Sequence, residues 1–160
     1  MAPIGLCLWF DSQAEEAANF YVSVFGDGKI LNVARHGPEG AQVSGKPEGS
    51  AMTVTFQLRG QEFMALNGGP LFKFTEAISL MVSCATQIEV DHFWHKLSEG
   101  GEPGQCGWLK DRYGVSWQII PSALGELMQS GTPEQSRRVM AALLQMKKLD
   151  IAALRKAYQG

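Results

Sequence analysis

The chain has little of what builds cross-linked or metal-rich sites: three cysteines and three histidines in 160 residues. Cys7, Cys84 and Cys106 are odd in number and widely spaced, which fits a reducing cytoplasm better than a disulfide framework. No stretch approaches the ~18 apolar residues of a membrane-crossing helix. The opening MAPIGLCLWFDS has no basic segment ahead of its apolar run, so it does not read as a secretory leader. An excess of positive charge is missing too: 14 Lys+Arg stand against 16 Asp+Glu, net −2, which gives no basic face for nucleic acid. Seven prolines and 18 glycines fall short of the level that marks disorder. What remains is a 45% hydrophobic chain, long enough to bury roughly two-thirds of its unfolded surface without a staple. The expectation is a cytoplasmic globular protein with no membrane or nucleic-acid partner.

Periodicity divides the chain into elements. Ile4–Phe10 has the length of a strand. Ser12 and Glu15 have capping-box spacing ahead of apolar positions at helical intervals, Ala14, Ala17, Ala18, Tyr21, Val24 and Phe25, and Gly26 stops the helix. Strands follow at Lys29–His36, Ala51–Leu58 and Gln61–Leu66, the last two joined by an Arg59-Gly60 turn. The polar stretch Gly37–Ser50 reads as a loop, and Gly68-Gly69-Pro70 ends this half. The second half opens with a strand at Ile78–Cys84 and a capping box at Thr86 and Glu89. Its helix carries Val90, Phe93, Trp94 and Leu97 on one face. Gly100-Gly101 ends that helix, and strands at Gln105–Lys110 and Val115–Ile120 flank a tight turn at Asp111–Gly114.

The two halves superpose at an offset of 74 residues. Ser12 falls on Thr86, Glu15 on Glu89, Gly26 on Gly100, and Leu6 and Leu8 on Leu80 and Val82. Two βαβββ-type modules are therefore expected, 1–70 and 71–121, with one strand missing from the second because only Glu102–Gly104 lies between its helix and hairpin. Charge shifts after Pro121: residues 1–121 hold eight basic and 13 acidic side chains, residues 122–160 six and three. This tail reads as helix only, over Ser122–Gln129, then from the Thr132-Pro133-Glu134 start signal to Met146, then from Asp150 through Tyr158. The fold class is α+β: paired modules over 1–121, with 122–160 a helical extension packed on the same domain.

AEEAANFYVSVFG (14–26), FMALNGGP (63–70), ISLMVSC (78–84) and above all CGWLKDRYGVSWQIIP (106–121) resemble the PhnB-like branch of the vicinal oxygen chelate superfamily. That superfamily includes glyoxalase I, extradiol dioxygenases and the bleomycin and fosfomycin resistance proteins, and this branch often carries the label 3-demethylubiquinone-9 3-methyltransferase-like. The resemblance implies a curved mixed sheet around a cup, helices on its convex side, and a homodimer. In metal-dependent relatives two residues of each module, mostly His and Glu, hold the ion. Those positions fall near Leu6, Met64, Ala77 or Ser79, and Gln118. None is His or Glu, and Leu, Met and a neutral amide are poor ligands for a hard divalent ion. No metal and no other cofactor is expected.

The remaining candidates each have a plainer explanation. His92 and His95, one turn apart beside Asp91, read as a solvated helix face, since a metal site needs three or four convergent ligands; His36 has no evident partner. Cys7 reads as a buried thiol. Cys84 is the better-placed nucleophile, before a helix N-terminus, and Cys106 sits in the most specific motif. Asn67 is a polar group at the cup rim or ordinary turn chemistry beside Gly-Gly. Ser116, Gln118 and Ile120 share one strand face, with Trp117 and Ile119 on the other, so a buried Gln118 amide needs a partner. Phe72, Phe74, Trp108 and Tyr113 suit a pocket wall or a dimer seam. Cup residues are expected to be Leu6, Met64, Asn67, Ser79, Trp108 and Gln118, taking a small molecule of unknown identity. Gly26-Asp27-Gly28 follows a helix and not a strand, so it lacks the context of a methyl-donor site. Three functions stand: a metal-free enzyme or former enzyme acting on a small molecule, a sequestering protein of the resistance type, and a dimeric scaffold whose tail takes a protein partner.

Overall fold

The computed structural model describes residues 4–160, which divide into two units that meet in sequence between Phe74 and Thr75. The first holds β1 (Leu6–Phe10), α1 (Ala14–Phe25), β2 (Lys29–Arg35), α2 (Pro38–Ser44), β3 (Ala51–Leu58) and β4 (Gln61–Asn67). Its sheet has the order β1-β4-β3-β2, with β1 parallel to β4 and the others antiparallel. The second holds β5 (Leu80–Cys84), α3 (Gln87–Ser98), β6 (Glu102–Pro103), β7 (Trp108–Lys110), β8 (Ser116–Pro121), α4 (Ser122–Ser130), α5 (Pro133–Leu143) and α6 (Ile151–Gln159). Its sheet order, β5-β8-β7-β6, repeats the first, again with one parallel pair, β5 and β8. The offset of 74 is kept by the strands β1 and β5, while α1 and α3 begin 73 residues apart. Two four-stranded mixed sheets and six helices make the α+β class read from the sequence.

Three expectations are corrected. The strand thought missing from the second unit is present as β6. It is only two residues long, pinned between Gly101, where a Cβ would lie 2.2 Å from the Lys110 carbonyl oxygen, and Gly104, whose N–H bonds the Trp108 carbonyl. Residues 38–44 form a helix inside the supposed loop, started by Pro38 at its first turn and ended by Gly45 at φ 69°; it buries no residue, which is why no apolar stripe announced it. The Ser12–Glu15 capping box does not form. Gln13 occupies the N-cap without a side-chain bond, the Ala14 N–H is bonded by Asn67 Oδ1 at 2.8 Å, and the Glu15 carboxylate is drawn instead to the Arg35 guanidinium. Thr86 does cap α3, accepting from the Glu89 N–H, but Glu89 returns to the N–H of Ala85.

Each sheet carries a helix on one face. In the first unit Ala14, Ala17 and Ala18 bring α1 close, and Tyr21 stacks on Phe56, which stacks in turn on Phe63. In the second, Val90, Phe93, Trp94 and Leu97 of α3 are buried, as are Val82, Leu109, Trp117 and Ile119 of the sheet. The tail is tied to this unit by backbone bonds from Cys106 and Gly107 to Met146 and Lys147. Gln87 adds a second tie, donating to the Leu149 carbonyl and accepting from the Ile151 N–H. Val139, Leu149 and Leu154 are buried.

The β7–β8 turn rests on Asp111, which is 3% exposed. Its Oδ1 accepts from the N–H groups of Tyr113 and Val115, and its Oδ2 from the Trp117 indole at 2.8 Å. Asp111→Asn keeps the size but turns an N–H₂ toward either the indole N–H or the turn amides. We expect a loss of about 2–3 kcal/mol, read as a lowered urea midpoint; an unchanged midpoint would show that the turn does not depend on this carboxylate.

Candidate functional site

Strand alternation sorts the side chains of each sheet into a helix-covered face and an open face. In the first unit Phe63 belongs to the covered face, since it stacks on Phe56 below Tyr21, and Leu6 pairs with Phe63. Cys7 pairs with Met64 on the opposite face, where Met64 is 41% exposed. Leu6, half-buried, thus falls on the helix side with Leu8 and Phe10, and at the start of β1 it also lines a cavity together with Cys7, Phe63 and Met64. Asn67 also departs from expectation. Besides accepting from Ala14, its amide donates to the Ala51 carbonyl at 3.0 Å, so the side chain clasps α1 and β3 to the end of β4. The neighbouring Gly68 has to be glycine, because a Cβ there would meet the Trp9 ring. Trp9 bonds the Gly69 carbonyl and packs edge-on against Phe72.

The second unit brings three of the expected residues together. Leu80, Val82, Leu109, Trp117 and Ile119 are in register on the covered face. Met81 and Trp108 both pair with Gln118, so these three share the open face. Gln118 is half-buried and its Nε2 donates to Ser79 Oγ at 2.8 Å. Lys110 and Ser116 are paired on the same face, and Lys110 forms an ion pair with Glu76. The Glu76 hydrogen bond and charge hold the ammonium pKa above its ordinary value, while the same bond holds the Glu76 carboxyl below its own. The site is thus polar and hydroxyl- and amide-rich at one end, with an indole wall and Met81, 69% exposed, at the other.

None of the three cysteines is in a disulfide. Cys7, expected to be a buried thiol, is exposed instead, because its strand position faces away from α1; partial desolvation still pushes its pKa up, which favours the unreactive form. Cys84 lies buried on the covered face, and Cys106, at φ 57°, points its sulfur toward the Leu143 carbonyl at 3.6 Å. His92 and His95 are exposed on α3. A metal implied by the superfamily does not fit the donor set: the open faces present Met64, Ser79 and Gln118, and among the described residues no three His, Cys, Asp or Glu side chains converge as an ion site.

A family model described as 3-demethylubiquinone-9 3-methyltransferase matches residues 2–120. A PhnB protein from Bacillus cereus is 38% identical, with a TM-score of 0.66 over 76% of this chain and 100% of that one. The chain belongs to this PhnB-like family. More distant solved structures share the PhnB-like fold. A Pseudomonas aeruginosa protein has a TM-score of 0.63 at 20% identity, covering 76% of this chain and 98% of its own. The genomically encoded fosfomycin resistance protein FosX of Listeria monocytogenes has 0.50 at 14%, covering 79% and 97%. No curated protein matches. Among the described residues no helix is long and apolar enough to cross a membrane.

The donor chemistry of this PhnB-like chain leads to an expectation for the purified protein. Elemental analysis should find no stoichiometric Zn, Ni, Mn or Fe. About one ion per chain, released by chelator with loss of stability, would contradict the assignment of the open-face residues.

Proposed function

We propose that the protein binds a small molecule on the helix-free face of its second sheet, at Ser79, Trp108 and Gln118. The observation that carries this reading is the Gln118–Ser79 hydrogen bond: an amide and a hydroxyl held together on a half-buried strand position beside an indole. The bond uses a donor of Gln118 and leaves its oxygen the role of acceptor, while the Ser79 hydroxyl, having accepted, has a proton to donate. Such a pair, with an aromatic wall, recognises a ligand that is mainly apolar and carries a polar group.

Binding without conventional metal chemistry is the favoured form of this function, and methyl transfer is not part of it. The absence of His and Glu from the family's ligand positions supports sequestration as much as catalysis, so a resistance-type binding role is the second form. Gly26-Asp27-Gly28 lies between α1 and β2, outside the strand-to-helix turn that a methyl donor's phosphate-free nucleoside site would need. We further propose a homodimer, supported by the exposed apolar side chains Ile78 and Met81 beside β5. A scaffold role for the tail has less support, because α5 and α6 bury Val139, Ile151 and Leu154 within their own unit.

Gln118→Leu tests the site. The variant should fold and sediment as the wild type does, as a dimer, while any ligand taken by the wild type loses about 1–3 kcal/mol of affinity. Unchanged affinity would remove Gln118 from the site. A wild-type monomer at micromolar concentration would remove the dimer.

A further inference from the structure

Beside Gln118, at the end of the same open face, the second unit has a cavity of about 190 Å³ between β6, β7 and the start of β8. Glu76, Glu102, Pro103, Trp108, Lys110 and Ser116 are among its lining residues. Ser116 is 2% exposed, and its Oγ has no hydrogen-bond partner among the described residues. A buried hydroxyl without a partner is rare in folded proteins, and one lining a cavity is an unfilled recognition group. Lys110 faces it across the β7–β8 pair. An ammonium has three N–H donors, and Glu76 accepts from it.

We propose that this cavity takes a small, neutral ring compound carrying one hydrogen-bond-accepting oxygen, with Ser116 Oγ and Lys110 Nζ as the donors to that oxygen. The proposal rests on the reading of the open face as a ligand site and names the class of ligand it takes. Charge decides between ligand types. Glu76 neutralises Lys110, and Glu102 adds a negative charge at the rim, so an anionic group meets net repulsion. A cationic ammonium group has no acceptor atom to offer the Lys110 N–H donors, so it cannot take the place of an oxygen there. A neutral oxygen avoids both penalties and satisfies the orphan hydroxyl. Trp108 and Pro103 supply a flat apolar wall for a ring. The volume is that of ~6 waters in bulk liquid, enough for one six-membered ring with a short polar substituent.

Three probes of one size separate the alternatives: benzamide, benzoate and benzylammonium, titrated into the full chain and followed by amide NMR. Benzamide should shift Trp108, Lys110 and Ser116 saturably with a Kd on the order of millimolar, as expected of a ligand this small. Benzoate and benzylammonium should bind at least ~5-fold more weakly. Ser116→Ala should weaken benzamide about fivefold, while its thermal midpoint stays at or above that of the wild type, because the lost hydroxyl has no partner in the free protein. Lys110→Met should weaken benzamide similarly. Equal benzamide affinity in Ser116→Ala, a preference for benzoate or benzylammonium, or no saturable shift would each overturn the proposal. Benzamide shifts confined to Ser79 and Gln118 would overturn it too, while leaving the wider open-face site standing.

Discussion

Every feature of this molecule that bears on function depends on one constraint: each four-stranded sheet has its layer of core helix on one side only. Strand side chains alternate, so a single register assigns half of them to the helix and half to the open face. In the second unit that register gives Trp117 and Ile119 to the core and Gln118 to the open face. A one-residue slip would exchange them, burying an amide against α3 and exposing an indole. The Asp111 carboxylate guards this register, because it joins the turn amides to the indole of Trp117 and so fixes where β8 begins.

The first unit solves the same problem with a different clasp. Asn67, at the end of β4, joins the first turn of α1 to the start of β3. Gly68 and Gly69 then turn the chain back across Trp9, which a side chain at Gly68 would not permit. The motif residues around 63–70 and 106–121 are therefore largely joinery. What faces outward from them, Met64, Trp108 and Gln118, is a small subset.

Much of this was legible in the sequence, for physical reasons that differ by element. The bounds of β3 were readable because AMTVTFQL alternates between faces, and α5 because Thr132-Pro133 is a local start signal. The phase of β1 was not. Leu6, Cys7, Leu8, Trp9 and Phe10 are all apolar, so nothing local distinguishes the covered face from the open one. Asn67 beside two glycines reads as a turn; its bond to Ala14 spans 53 residues and leaves no local trace. The two-residue β6 and the solvent-surrounded α2 lack any apolar period. The orphan hydroxyl of Ser116 is equally silent, since only the packing around a serine tells whether it has a partner.

The account stands on the open face of the second sheet being a binding surface for small molecules. Crystals of the protein soaked in a mixed metabolite library test that most directly. The predicted result is ordered density on the β7–β8 face, against Trp108 and the Gln118–Ser79 pair, with no metal bridging ligand and protein. Density only on the helix-covered side, or a ligand held through an ion at other residues, would contradict it.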